Sequence, residues 1–335
     1  MNYRTLGKSG LRVSALGFGC GNVGGLMIRG APAERERAVA RALELGINYF
    51  DTAPSYGEGI SEQNLGLALK ALRATPYVGT KFSLAASERD DVAAAVRRSL
   101  EASLRRLGLE RVDLLQLHDR IVADLAGQDR AADLALVLGE IVPVLEKLRT
   151  QGKTRLYGIT ALGDTEALHR ALASGALDTA QVCLNVLNPS ASVDVPPGFP
   201  GQDFRQLLSV AGEQRVGVIV IRAAAAGALS GTETRHPIAV PSVAPIASGR
   251  DYATDVQRAR TLGALLEEGH VDSLIEASLR FALTDEAVST VLLGYSSVEQ
   301  LEYAAAAIAK GPLPPPALTR LVGLWRRFTE GGVSV

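Results

Sequence analysis

Short apolar runs of about five or six residues alternate with longer stretches in which apolar side chains recur every three to four positions, and the alternation runs nearly end to end. The short runs predict strands and the periodic stretches predict helices. The first barrel-type strand is predicted in ALGFG, 15–19, running into the glycine cluster Gly17, Gly19, Gly21, Gly24 and Gly25. A helix is predicted over 32–45, where Ala38, Val39, Ala42 and Leu43 share a face and Gly46 ends it. Further strands are predicted at Ile47–Phe50, 77–81, Val112–Leu117, Thr154–Ile159, Ala180–Leu184, Val216–Ile221 and Val288–Leu293. Helices are predicted between them at 60–72, 88–107, 134–149 with a kink near Pro143, 164–174, 202–213, 251–267 and 271–283. Helix 297–309 follows the last strand, and a helix over 316–330 is appended after the proline run GPLPPP. The opening YRTLGKSGLRVS predicts a hairpin that plugs one barrel end, whereas 128–132 is too polar to assign.

Eight strands, each followed by helix, with connections long enough for parallel crossovers, predict a (β/α)8 TIM barrel with an N-terminal β-hairpin and an appended C-terminal helix. At 335 residues the chain fits one such barrel, with 1–335 a single domain. An open doubly wound sheet is the rival. Its G-x-G-x-x-G fingerprint belongs directly between a strand and its helix, whereas here the glycines alternate within the strand end and the helix starts well beyond them.

Composition narrows the function. With 47% hydrophobic and 21% charged residues and a net charge of -1, a large core is available and no field strong enough to gather nucleic acid is expected. No apolar stretch reaches the ~18–20 residues of a membrane span, and no charged leader precedes an apolar run, which predicts a cytoplasmic protein without a membrane partner. Two cysteines, Cys20 and Cys183, are too few for a disulfide framework, and both are expected to pack as small thiols. His169, His236 and His270 lie without a second ligand at metal spacing, so no metal site is expected.

Chemistry collects at strand ends. The second strand runs into DTAPSYG, carrying Asp51 and Tyr56, the third ends in Lys81, and the fourth leads to His118. In a β/α barrel these C-terminal ends lie side by side on the reactive face. A phenol ionises near pH ~10, and an adjacent ammonium lowers that value. Lys81 is expected to do so for Tyr56, with Asp51 holding the ammonium charged and His118 donating to a substrate carbonyl oxygen. Tyr56 is then a general acid or base suited to carbonyl reduction.

The pieces LGFGCG, GINYFDTAPSYGEGISEQNLG, GTK, SLEASLRRLGLERVDLLQLH, GKTRLYGIT, DTAQVCLN, AGALSG and LLGYSSVEQLE occur in an order that resembles the aldo-keto reductases over nearly the whole chain. The resemblance implies a nicotinamide cofactor lying extended over the barrel mouth and a tetrad of Asp51, Tyr56, Lys81 and His118. It implies cofactor contacts at Gly19, Cys20, Gly21 and Asp51, at Gln181 for the carboxamide, and at Gly294, Tyr295, Ser296 and Gln300 for the adenosine end. The Ser-Asn pair that commonly ends the fifth strand stands here as Thr160 and Ala161. The aromatic ring often found after the seventh strand is replaced by Ile221 and Arg222, whose guanidinium plane can stack or hold phosphate. NADP(H) is the family's habit and is slightly favoured. NAD(H) stays open, because Tyr295 and Gln300 stand where several NADP enzymes keep a cation.

The implied partner is a small-molecule carbonyl or alcohol, with sugars among the candidates, interconverted by hydride transfer. Substrate loops are expected at 22–30, 120–130, 187–200 and 232–249, which hold few aromatics. The alternative is a nicotinamide-binding regulatory barrel with little or no turnover.

Overall fold

The computed structural model describes residues 1–125 and 127–330. Strands β1 (Tyr3–Thr5) and β2 (Arg12–Ser14) pair antiparallel as the opening hairpin. The barrel begins with β3 (Leu16–Gly19), β4 (Tyr49–Asp51), β5 (Tyr77–Phe82) and β6 (Val112–Leu117). A small parallel pair, β7 (Arg120–Ile121) and β8 (Ala131–Ala132), then leaves it. The barrel resumes with β9 (Thr154–Ala161), β10 (Thr179–Cys183), β11 (Gly217–Ile221) and β12 (Val288–Gly294), and β12 closes onto β3. All eight barrel strands run parallel, in register through Gly19 opposite Asp51, Asp51 opposite Gly79, Lys81 opposite Gln116 and Thr160 opposite Gln181.

Apolar burial explains the layers. Strand side chains alternate between the barrel interior and the helix layer. Leu16, Phe18, Phe50 and Val78 join the large core under the helices, whereas Tyr49, Leu114, Leu156 and Ile219 form a separate interior cluster. The hairpin supplies Leu6 and Val13 to that inner cluster, both almost fully buried, so it closes the N-terminal end as expected.

The helices differ from the sequence expectation at their ends, each time for a local reason. Helix 88–107 becomes a tight turn at Ala86–Asp91 followed by Val92–Leu107, because the Asp91 carboxylate caps the Ala94 N–H at 3.0 Å. Near Pro143 the expected kink is a wide turn over Leu136–Ile141, in which the Val142 N–H reaches back five residues to Val137 O; Val142–Thr150 continues as α-helix. The stretch 202–206 is not helical. Arg205 and Gln206 hold positive φ angles of 47° and 55°, and the Gln202 amide donates to Gly163 O and Thr165 Oγ1, leaving a helix of Leu207–Glu213 only. The 251–267 helix is two pieces, Tyr252–Thr261 and Ala264–Glu267, parted at Leu262 and Gly263.

The appended helix Pro315–Glu330 docks through Trp325, which is 3% exposed, meets Phe281 edge-on at 5.6 Å and donates its indole N–H to Val186 O at 2.8 Å. Trp325→Ala is expected to cost about 3–5 kcal/mol, through lost packing and an unpaired carbonyl. Denaturant unfolding monitored by circular dichroism measures it; a loss under ~1 kcal/mol would mean the docking is superficial.

Candidate active site

Asp51 closes β4, Lys81 lies near the end of β5, and His118 follows β6 directly, so three neighbouring strands deliver three polar groups to one mouth. Lys81 is 1% exposed. Its ammonium forms an ion pair with Asp51 Oδ1 and donates to Thr52 O at 2.9 Å. The other carboxylate oxygen, Oδ2, accepts from Tyr49 OH at 3.0 Å and from Gln181 Nε2 at 2.7 Å. Burial alone would lower the Lys81 ammonium, but the Asp51 charge and the phenol of Tyr56 more than offset it, and the group is held above its ordinary value.

Tyr56 sits in the turn after β4, with the Lys81 Nζ 4.8 Å from its ring centroid and the His118 ring edge-on at 5.8 Å. The phenol differs in one respect from the sequence expectation. Burial raises it above its ordinary value; the Lys81 charge pulls the other way without prevailing, and Asp51 adds to the rise. Lys81 therefore limits a burial-driven rise instead of producing a net fall. The phenol is protonated at neutral pH. His118 is displaced downwards to about 3 by burial, with the Lys81 and Arg130 charges adding to the shift, so its imidazole is neutral. Its Nδ1 faces the Ser55 hydroxyl at 3.5 Å.

Asp51, Tyr56 and His118 open into a cavity of about 720 Å³, within the range of ~300–1,000 Å³ usual for small-ligand sites, whereas Lys81 lies behind them and does not border it. Gly19, Gly21, Asp51, Tyr56, His118, Thr160, Gln181, Arg222, Gly294, Tyr295, Ser296 and Gln300 all border it. Cys20 does not. Chain alternation turns Gly19 and Gly21 to the cavity and Cys20 into the large core at 1% exposure, where burial pushes its thiol far up; Cys183 is likewise buried, its thiol pushed up to about 12. The expected contact at Cys20 therefore has no side chain to make it, and its backbone N–H and C=O already pair with Asp51 O and the Ser61 hydroxyl.

The cavity wall combines close-lying backbone with polar groups that face the opening. A Cβ at Gly21 would stand 3.6 Å from the Tyr56 ring, so only glycine leaves the phenol face bare. One hydrogen of the Gln181 amide is committed to Asp51, and its Oε1 accepts from Thr160 Oγ1 at 3.4 Å, which leaves the second amide hydrogen able to donate to a ligand. Arg222, with φ of 58°, sets its guanidinium in the wall and reaches Ala244 O at 3.4 Å. Tyr295 is 1% exposed, its ring 5.2 Å from Phe18, and so supports the far end from beneath.

Sequence reasoning gave no individual role to three contributors, two of which, Asn22 and Arg29, lie in the loop 22–30 expected to meet substrate. Tyr49 anchors Asp51 from below. Asn22 straddles Tyr56, its Oδ1 accepting from Gly57 N at 3.0 Å and its Nδ2 donating to Ser55 O at 3.4 Å. Arg29 donates to Asn22 O at 2.7 Å and to Ile238 O at 2.6 Å, and Val240 N donates to Val23 O at 3.2 Å, which ropes the 232–249 loop across the cleft. The signal for Asn22 was its place in the glycine cluster; long-range contacts such as Arg29 to Ile238 leave none.

The sequence profile of the Aldo/keto reductase family matches residues 15–326. The chain belongs to that family. Among relatives of this aldo-keto reductase, L-galactose dehydrogenase of Arabidopsis thaliana is 33% identical, over 92% of this chain and 89% of that protein. D-threo-aldose 1-dehydrogenase of a Pseudomonas species is 29% identical over 94% of this chain and 96% of its own. Aldo-keto reductase AKR11C1 from Bacillus halodurans, solved in holo form, superposes with a TM-score of 0.70 at 25% identity, covering 98% of this chain and 96% of that one. The aldo-keto reductase is therefore an oxidoreductase of the nicotinamide-using kind. Among the described residues no group of His, Cys, Asp and Glu is arranged for a metal, and no helix is long and apolar enough to cross a membrane.

The neutral imidazole is directly measurable. The His118 ring resonances are expected not to titrate between pH 5 and 8, given a value displaced to about 3. A His118 inflection near pH ~6.5 in an NMR titration would show the ring to be solvated instead.

Proposed function

We propose that this aldo-keto reductase interconverts the carbonyl of an aldehyde or ketone with its alcohol, with aldoses at C1 as the favoured substrate class, and that Tyr56 transfers the proton. The observation that carries this reading is the Tyr56 phenol, protonated and set between the Lys81 ammonium and a neutral His118 at the wall of the cavity. Support for the aldose class comes from two relatives named for sugar oxidation.

A bound nicotinamide dinucleotide supplies or takes up the hydride. Gln181 and Thr160 would hold its carboxamide, the Gly19 and Gly21 backbones would let it lie close, and Arg222 would stack on or neutralise it. In reduction, Tyr56 gives its proton to the developing alkoxide while His118, neutral and hence able to donate one ring N–H, orients the carbonyl oxygen. As phenolate forms, Lys81 stabilises it at short range. Oxidation runs this backwards: the phenolate takes the hydroxyl proton. For a cyclic aldose the hydroxyl is that on C1 and the product is the lactone.

Burial raises the phenol, so alcohol oxidation is expected to accelerate as pH rises into the alkaline range, whereas reduction is expected to be well supported at neutrality. Tyr56→Phe is expected to lower kcat by about 10²–10⁴ with cofactor affinity nearly unchanged. Nicotinamide absorbance over a panel of aldehydes and aldoses, with each cofactor, tests the reading; a Tyr56→Phe variant as active as the native chain would end it. Lys81→Met is expected to move the alkaline limb of the oxidation profile upward by about 1–3 pH units, at a stability cost of about 3–5 kcal/mol for stranding Asp51. An unchanged profile in the folded variant would mean Lys81 does not tune the phenol.

A further inference from the structure

In a parallel barrel the interior side chains stack in layers, each drawn from alternate strands, and neighbouring strands are staggered by about one residue. On β6, Leu114 belongs to the interior cluster whereas Leu115 and Leu117 join the core under the helices, so Gln116 points at the barrel axis. It stands opposite Lys81 on β5 and Gly158 on β9. The stagger sets it level with Asp51 and Gln181, whose side chains meet at 2.7 Å. The layer beneath is Gly17, Gly79, Gly158 and Ile219, so most of it carries no side chain. Below that come Tyr49, Leu114, Thr179 and Thr290.

Polar groups face this glycine layer from both sides. Gln116, Thr179 and Thr290 are each 0% exposed, and among the described residues neither amide atom of Gln116 nor either threonine hydroxyl has a hydrogen-bond partner. The hydroxyls of the lower layer lean upward. A Cβ on Gly158 would collide with Thr179 Oγ1, one on Gly79 would stand 2.6 Å from Tyr49 OH, and one on Gly17 would stand 3.3 Å from Thr290 Oγ1. Two residues of strand, rising ~3.3 Å each at a tilt of ~36°, part ceiling from floor by about 5.5 Å, the span of two hydrogen bonds through one water. Buried amides and hydroxyls rarely go unpaired, and an interior water makes about three such bonds.

We propose that Gln116 is a positioning residue for the proton transfer: with the Thr179 and Thr290 hydroxyls it holds water in the glycine layer, and that water supports the Asp51–Lys81 ion pair from below. The inference rests on the reading of Tyr56 as the proton carrier. Its route runs through Tyr49. The Tyr49 hydroxyl spends its hydrogen on Asp51 Oδ2 at 3.0 Å, which leaves its oxygen to accept from the water. A donor at that oxygen polarises the O–H and strengthens its bond to the carboxylate. Asp51 is thereby kept anionic and Lys81 cationic, so the ammonium is in place when the phenolate forms.

The test joins a crystal structure of the native chain that resolves ordered water to the pH profile of alcohol oxidation by the purified full chain, read by nicotinamide absorbance. The variants are Gln116→Leu, Thr179→Val and Thr179→Ser. The charged and titratable groups around the phenol and ammonium are Asp51, Tyr49, Cys20, His118 and Arg222, and none of them is altered. Water is expected within ~2.7–3.2 Å of the Gln116 amide and of Thr179 Oγ1. A weaker hold on Asp51 lets the pair slip towards its neutral form, which withdraws the cation from the phenolate. Gln116→Leu and the isosteric Thr179→Val are therefore expected to move the alkaline limb upward by about 0.5–1 pH unit and to lower kcat about three- to tenfold with KM nearly unchanged. Thr179→Ser, which restores the hydroxyl, is expected to bring the limb back. An unchanged limb in the folded Gln116→Leu and Thr179→Val chains, or a crystal structure with no ordered water beside Gln116, would overturn the assignment and leave Tyr56 in its role. Full activity in Tyr56→Phe would overturn both.

Discussion

A buried ammonium paired with a buried carboxylate is the constraint to which the rest of the barrel mouth conforms. Lys81 and Asp51 are each about 1% exposed. Removing charges from water costs several kcal/mol per ion, and the pair repays this only if every remaining lone pair and proton finds a partner. Here Thr52 O, Tyr49 OH and Gln181 Nε2 complete the set. Asp51 thus faces donors from the lysine, from its own strand and from a strand across the barrel, which fixes the position of the ammonium beneath the phenol. A rotating surface lysine could not hold that geometry. Most of the pair's value lies in placing one positive charge at one point, where low local polarity amplifies its action on Tyr56.

The positions of these groups were legible because strand ends are legible. Asp51, Lys81 and His118 each terminate an apolar run, and a parallel barrel gathers such ends on one face whatever the loops do. The eight barrel strands, the opening hairpin and the appended helix likewise follow from periodicity and from Gly and Pro punctuation. Less was legible where long-range hydrogen bonds override local preference. The 202–206 segment has a helical pattern but spends its polar groups on Gly163, Thr165 and Asn188, and the polar 120–132 region pairs as β7 and β8 because Arg120 finds Arg130 and Val122 finds Ala132. The balance of forces on Tyr56 was also beyond the sequence: the sign of Lys81's effect can be reasoned from proximity, but its size relative to burial depends on how deeply the ring is sunk.

Glycine distribution links backbone to chemistry at the mouth. Gly19 approaches Leu293 O so closely that a Cβ would stand at 2.9 Å, and Gly24 meets the Tyr295 backbone more closely still. These contacts draw the loop after β3 against the end of β12, and from that loop Asn22 reaches across to both neighbours of Tyr56. The same loop is tied through Arg29 and Val23 to the 232–249 segment. Phenol placement and the roof over the cleft therefore share one mechanical support, although they lie far apart in sequence.

The hairpin at the opposite end has a consequence for traffic. With Leu6 and Val13 wedged under Tyr49, Leu114 and Ile219, the barrel is corked at its floor, and among the described residues the ion pair communicates with bulk water through the upper opening. A ligand laid over that opening would act as a stopper. Water could then no longer exchange protons with the phenol, so the proton given up in one turnover would be restored only once the ligand has left.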